Sequence, residues 1–333
     1  MSLIAAGLYF DPQEFSPGQS VPVPEEARKQ EYVMRSWNGD HTTPLVSIIC
    51  HCYNHEGFIR NALDGILMQE TDFPFEIIVH DDASTDRSVE IIKEYQRNFP
   101  DIVKPIFQQV NQFSQGKRPL RFSLPAAKGD FIALCEGDDY WISSKKLQLQ
   151  ADLLRERPDV VICFHNAIRV SENGEFRSMM NPCAKSELSQ AELSLAPFVP
   201  TLTRMFRNYG CPWADSPNAP IANDICLTAF LSQYGGAVYV SSGLYSVYRH
   251  HEGGVWSQKD RYTQARMSID SRLFIAAGLD GNLPVSDEVA GEHVKLSLPP
   301  LMDLLGWREI VRSVSSYLWL RLWRSVKSKL TLK

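Results

Sequence analysis

The chain has 333 residues, a formal net charge of −5, 44% hydrophobic and 22% charged residues. That length accommodates one large domain or one domain with an extension, and that composition is globular, which excludes a wholly disordered or fibrous chain. The negative balance argues against a general nucleic-acid binder, and no run approaches 18 apolar residues, so no transmembrane helix is expected.

Residues 1–43 are rich in Pro, Glu and Gln, show no sustained periodicity and read as a poorly ordered tail. The start, MSLIAAGLYFDP, lacks a basic n-region, so a secretory signal is not expected. After Pro44 the pattern changes. LVSIICHCY reads as a buried, β-branched strand. Asn54 offers a helix N-cap, and Phe58, Ile59, Ala62, Leu63, Ile66 and Leu67 follow at helical spacing. FEIIVH (75–80) is a second strand. Ser84, Thr85 and Asp86 can cap a helix that aligns Val89, Ile92, Tyr95 and Phe99. VKPIFQQV and DFIALCE are the third and fourth strands, with a short helical LPAAKG segment before the latter. Lys145 to Arg157 reads as a helix and VVICFHNAIRV as a fifth strand. This alternation from 44 to 170 predicts an α/β fold with a mostly parallel sheet flanked by helices. Residues 171–222 carry six prolines and read as loops around a site. Asp224 to Tyr234 is helical, AVYVSSGLYSVYR strand-like, and 257–333 a helical extension ending in a basic, Trp-rich segment.

Seven cysteines are an odd number, and Cys50, Cys52, Cys135 and Cys163 sit in apolar runs, which suits a reducing compartment. Cys50, His51, Cys52 and His55 are close in sequence, but no second paired-cysteine motif completes a zinc site.

Ligands of parallel sheets bind beyond the carboxyl ends of the strands. Tyr53 and Asn54 follow strand one, Asp81 and Asp82 end strand two, and Glu136, Asp138 and Asp139 follow strand four. Adjacent acids after an apolar strand, as in EGDDYW, can offer oxygens to magnesium or manganese, which bridge to substrate phosphates. A solvated Gly-Asp-Asp turn is the plain alternative; the acids on the neighbouring strand favour the metal. No GxGxxG, P-loop or GxSxG motif is present. A nucleotide would therefore be held by carboxylates and a metal rather than by a glycine cradle.

The set PLVSIICHCYNHEGFI, EIIVHDDASTD and AAKGDFIALCEGDDYW resembles family 2 glycosyltransferases with the GT-A fold, strongly over 44–170 and more weakly over 220–256. EGDDYW together with YRHHEGGVW (248–256) resembles a bacterial subgroup from surface-polysaccharide gene clusters. The resemblance implies a GT-A domain over 44–256, divided near 170 into a nucleotide-sugar half and an acceptor half. It implies inverting transfer from a nucleotide-diphosphate sugar, with UDP favoured, to a hydroxyl of a glycan or lipid-linked acceptor. Mn2+ or Mg2+ would assist.

By the same resemblance Tyr53, with Asn54 beside it, meets the donor base, Asp82 reads the base edge and Asp138 the ribose. Asp139 ligates the metal as the last acid of a motif whose first position is Gly137. His251, which fits the family's histidine position better than His250, ligates the metal or touches the diphosphate, with two exposed histidines as the plain alternative; on chemical grounds Arg249 can pair with a diphosphate by charge-assisted hydrogen bonds. Asp224, at a helix N-terminus, is the base, with Asp215 its competitor and plain helix capping by Asp224 the alternative. His51 and Asn223 depart from the family's usual small hydroxyl residue and glycine. Trp141 stacks on a sugar or fills the core. A nucleotidyltransferase is the rival enzyme, but no glycine-rich basic loop opens the chain. A catalytically silent sugar-nucleotide or glycan-binding module is the rival from another class, and the intact Asp139 and Asp224 speak against it. Residues 307–333 mix Trp307, Trp319 and Trp323 with several Arg and Lys. They read either as an interfacial helix holding a cytoplasmic protein at the inner face of the membrane, or as a terminal helix packed on the domain.

Overall fold

The computed structural model describes residues 15–181, 184–220, 224–240, 244–254 and 259–297. In chain order the elements are α1 (Gln30–Val33), β1 (Val46–Cys52), α2 (Ile59–Leu67), β2 (Phe75–Asp81), α3 (Ser88–Asn98), β3 (Val103–Phe107), α4 (Leu120–Ser123), β4 (Phe131–Leu134), β5 (Tyr140–Trp141), α5 (Lys146–Glu156), β6 (Val160–Phe164), β7 (Asn166–Ser171), β8 (Phe176–Met179), β9 (Glu187–Leu188), α6 (Gln190–Ser194), β10 (Met205–Arg207), α7 (Asp224–Leu231), β11 (Gly236–Tyr239), β12 (Tyr245–His250) and α8 (Arg261–Ala276). A further helix covers 287–297.

The main sheet has the order β3-β2-β1-β4-β10-β6-β11-β9. Its first four strands are parallel, each joined to the next in register. Their sequences are apolar on both faces because helices cover both: β2 is buried along its whole length. On α2 the expected stripe of Ile59, Ala62, Leu63, Ile66 and Leu67 is buried. On α3 the buried stripe is Ile91, Ile92 and Tyr95, and Val89 is only half-buried.

The expected fifth strand is two strands. β6 stays in the main sheet, and after His165 the chain enters a second sheet, β5-β12-β7-β8. The stretch read as AVYVSSGLYSVYR divides in the same way, with β11 parallel to β6 and β12 parallel to β7. Each of the two stretches thus gives one strand to each sheet. In the second sheet β12 pairs with β5, which follows the acidic loop after β4. β10 is a strand the sequence does not announce; it lies antiparallel between β4 and β6. At three residues it is too short to show alternation.

The expectation of a poorly ordered tail over 1–43 needs correcting for 15–43. Phe15, Val21, Val33 and Trp37 are buried. Gly18 N donates to Phe176 O and Val21 N to Gly174 O, extending the second sheet at β8. Ala27 N donates to the buried Asp64 carboxylate at 3.0 Å, and Trp37 Nε1 to Thr71 Oγ1 at 3.0 Å. Scattered apolar residues without periodicity suffice for a strap, because a strap needs single anchors rather than a continuous face.

Behind the domain, α8 packs on α7. The basic, Trp-rich stretch 307–333 lies outside the described residues. Among the described residues no helix is long and apolar enough to cross a membrane.

Candidate active site

The rim forms where β1, β2 and β4 end and β12 arrives. Asp138 lies at its centre. Asp138 Oδ2 is 3.0 Å from His251 Nε2 and 3.8 Å from His55 Nε2. One ligand atom from each of His55, Asp138 and His251 lies within 4.8 Å of the others. Phe58 packs on the His251 ring with centroids 4.7 Å apart and helps fix its plane. Burial alone would raise the pKa of Asp138, but the His251 hydrogen bond and the charge of His55 hold it below the ordinary carboxylate value. The donor set suits a divalent ion: two imidazoles and a carboxylate. Among the described residues His55 Nδ1 is buried without a hydrogen-bond partner, while Nε2 is the ring nitrogen nearest Asp138.

Asp139 is placed differently from the sequence expectation. It is 3% exposed, and its Oδ1 accepts the Arg249 backbone N–H at 3.0 Å. Burial, and then the charge of Asp138, push its pKa well up. The residue expected as the metal ligand instead ties the acidic loop to β12, and its neighbour faces the histidines. Reading the motif as Glu136-Gly137-Asp138 restores an acid at both ends. Gly137 itself is fixed by packing: a Cβ there would sit 2.9 Å from His55 Nδ1, 3.0 Å from Ile59 Cδ1 and 3.1 Å from His51 O.

His55 is the group that sequence reasoning missed. Its only signal was membership of the incomplete Cys50-His51-Cys52-His55 set. The six described cysteines are free, and five of them are buried.

Tyr53 is 44% exposed at the end of β1, so its ring is open to a ligand. Asn54 has φ of 56° and does not cap α2; its Oδ1 accepts from Thr85 N at 2.8 Å, and its N donates to Ser84 Oγ at 2.9 Å. It clamps the loop after β1 to the loop after β2. Asp82, expected at a base edge, is 3% exposed. Its two oxygens accept from Gln112 N at 2.8 Å and Phe113 N at 2.9 Å. Its visible work is to hold the 110–116 turn beside the cleft.

His51 Nε2 meets Ser123 Oγ at 2.9 Å, and Nδ1 lies 3.2 Å from Glu136 Oε2. The order Ser–His–Glu resembles a nucleophile relay, but Ser123 is fully buried and out of reach of a substrate.

Arg249 is 6% exposed, lies between the Phe58 and Tyr140 rings at 4.7 and 5.1 Å, and donates to Asn61 Oδ1 at 3.2 Å. Among the described residues its Nε has no partner. Trp141 is fully buried, with Nε1 donating to Leu202 O at 2.9 Å. Of its two expected roles the structure gives it the core, and no sugar can stack on it.

The two candidate bases separate clearly. Asp215 is exposed and paired with Arg121. Asp224 occupies the first turn of α7, where the positive end of the helix dipole stabilises a carboxylate. It is half-buried, and its backbone oxygen is held by Thr228 and Arg204.

Residues 47–211 match the family described as Glycosyl transferase family 2. An uncharacterized protein of Mycobacterium tuberculosis is 35% identical over 231 residues, covering 68% of this chain and 64% of that protein. The chain therefore spans a little under two thirds of the length of that relative. The poly(ribitol-phosphate) beta-N-acetylglucosaminyltransferase TarS of Staphylococcus aureus is 32% identical over 119 residues, covering 35% of this chain and 20% of that protein. Among solved structures, S. aureus TarS 1–349 in complex with UDP-GlcNAc matches with a TM-score of 0.56 at 19% identity, over 78% of this chain and 73% of that one. A mannosyltransferase from Pyrobaculum calidifontis in complex with GDP-Man and Mn2+ matches with a TM-score of 0.50 at 16% identity, over 90% of each chain. These likenesses show the fold, which is GT-A-like: a large mixed sheet flanked by helices.

Proposed function

Since residues 47–211 carry a glycosyl transferase family 2 domain, we propose that the protein is an inverting, metal-dependent glycosyltransferase. It moves a sugar from a nucleotide-diphosphate donor, UDP favoured, to a hydroxyl of a glycan or lipid-linked acceptor. The observation that carries this reading is the convergence of His55, Asp138 and His251 at the carboxyl end of the parallel strands. The UDP-GlcNAc complex of TarS supports the choice of a uridine donor. The basic, Trp-rich stretch 307–333 supports an acceptor held at an anionic membrane surface.

Asp138 and His251, with His55 beside them, would hold Mn2+ or Mg2+. When bound, such an ion neutralises charge on the departing diphosphate. The remaining steps belong to the chain. Tyr53 offers its ring face to the donor base. Asp139 fixes the strand that brings His251 to Asp138. The Asp224 carboxylate takes the proton of the acceptor hydroxyl as that oxygen attacks the anomeric carbon from the side opposite the leaving group, which inverts the centre.

Release of nucleoside diphosphate from a panel of UDP-, dTDP- and GDP-sugars, with and without Mn2+, tests the reading. Metal-dependent release supports it. Formation of nucleotide sugar and pyrophosphate from a nucleoside triphosphate and a sugar phosphate would replace it with nucleotidyl transfer. Binding with no turnover would replace it with a silent module.

A further inference from the structure

Arg204 is a guanidinium with 1% exposure and, among the described residues, no carboxylate in salt-bridge contact. Its Nη1 donates to Asp224 O at 3.2 Å and to Thr228 Oγ1 at 3.3 Å, and its Nη2 donates to Val199 O. Thr228 Oγ1 donates back to Asp224 O at 2.9 Å, so the first turn of α7 is held from two sides. Among the described residues Arg204 Nε is buried without a partner. A buried cation that leaves one donor unsatisfied is a poor way to stabilise a core, and an apolar side chain of that length would serve stability better. The placement therefore calls for a reason other than stability.

The surroundings of Arg204 supply one. The turn just before it receives hydrogen bonds from both other sides of the site. Leu202 O accepts from Trp141 Nε1 at 2.9 Å, two residues beyond Asp139. It also accepts from Ser246 Oγ at 3.1 Å, on the strand that leads to His251. Thr203 O accepts from Gln150 Nε2 on α5 at 2.9 Å. Immediately after Arg204, β10 is locked between β4 and β6. The base of the side chain is thus anchored to the metal side, and its fork ends on the helix that carries Asp224. A planar fork can bridge the carbonyls of Val199 and Asp224 at once, which a single ammonium cannot do in the same geometry.

We propose that Arg204 is a positioning residue: it fixes the first turn of α7 against the donor side so that Asp224 faces the acceptor hydroxyl. This rests on the reading of Asp224 as the base. Electrostatics agree: burial pushes the Arg204 pKa down, and the charge of Asp224 opposes that shift.

The test is a double-mutant cycle on the full chain, using the sugar nucleotide of the panel that is hydrolysed fastest with Mn2+. Asp224→Asn, Arg204→Met, Arg204→Lys and the pair Arg204→Met/Asp224→Asn are compared for turnover and for binding of the donor. Arg204→Met should lower kcat at least 10-fold with donor affinity within about twofold of the parent, and Arg204→Lys should recover part of the loss. On the Asp224→Asn background, Arg204→Met should cost less than about twofold, because two residues acting as one unit are not additive. Losses that multiply in the pair, or a parental kcat in Arg204→Met, overturn the proposal. If Arg204→Met does not fold, the same cycle run with Arg204→Lys decides the question. A parental kcat in Asp224→Asn alone shows instead that the base assignment has failed. That result is separable, because it does not involve Arg204.

Discussion

The two halves of the site place their groups by different means. Residues 46–141 use continuity: β1, β2 and β4 are apolar runs in one parallel register, and each delivers its polar groups within a few residues of its end. Residues 160–251 use tethers. Two long apolar stretches each give a strand to both sheets, β10 is inserted against the strand direction, and buried polar side chains join the pieces. Arg204 holds α7, Gln150 holds the 201–203 turn, and Asp139 holds β12. In the first half the place of a functional loop follows from the hydrophobic pattern; in the second it depends on particular hydrogen bonds. The difference implies that substitutions in the second half can remove chemistry while leaving donor binding intact.

The sharpest test of that division is Asp224→Asn. We expect transfer to fall by about 10²–10⁴-fold, the usual worth of a general base, while a donor and Mn2+ raise the melting temperature as they do in the parent. Equal loss of binding and turnover would mean that the halves do not divide the work.

Next comes the contrast between neighbouring acids. Asp138→Ala should abolish the effect of Mn2+ on donor affinity. Asp139→Ala should keep that effect and lower stability, because it leaves the buried Arg249 N–H without its acceptor, a cost of about 1–3 kcal/mol. Titration of each variant with Mn2+ followed by thermal melting separates them. Mn2+ dependence lost in Asp139→Ala and kept in Asp138→Ala would return the metal to Asp139.

The same contrast shows what the sequence could reveal. The strands to 134 and the helices α2, α3 and α5 follow from apolar periodicity, and the rim acids follow from the rule for strand ends. Which acid faces the cleft does not follow, because Asp138 and Asp139 differ only in which way a turn presents them. His55 was hidden for a related reason: its partners are 83 and 196 positions away, and only the fold brings them together. The break at His165 was invisible because VVICF and NAIRV are equally good strand sequences, and only pairing with β11 and β12 divides them.

The strap over 15–43 carries the next prediction. Trp37→Ala removes a ring packed edge-on to Phe75 at 5.2 Å and a hydrogen bond to Thr71. The expected cost is about 3–5 kcal/mol, read as a lower urea midpoint. An unchanged midpoint would restore the view of this segment as a tail. A smaller effect is expected at Gly137. In Gly137→Ala the new methyl meets the His51 carbonyl, which cannot move, and the His55 ring, which can. Mn2+ affinity should weaken about 10-fold, as for a disturbed ligand environment. An unchanged affinity would show that His55 is not needed at the ion.

The last contrast is a matter of pH and lies at the seam between the halves. Lys146 is 1% exposed, lies over the Trp141 ring at 4.4 Å and donates to Gln150 Oε1. Burial lowers its pKa to about 7. Between that value and its unfolded value of 10.5, the unfolded chain binds the proton and the folded chain does not. Stability therefore rises with pH across this window, by at most ~1.4 kcal/mol per unit, and the contribution is smallest below about pH 7. Lys146→Met has no proton to lose, so other groups aside its melting temperature should not share this rise. The difference between variant and parent should then favour the variant most at pH 6.5 and shrink steadily towards pH 10. Two melting curves that stay parallel across that range would mean that Lys146 keeps its charge when folded, with the Trp141 ring and the Gln150 and Thr203 oxygens compensating for its burial.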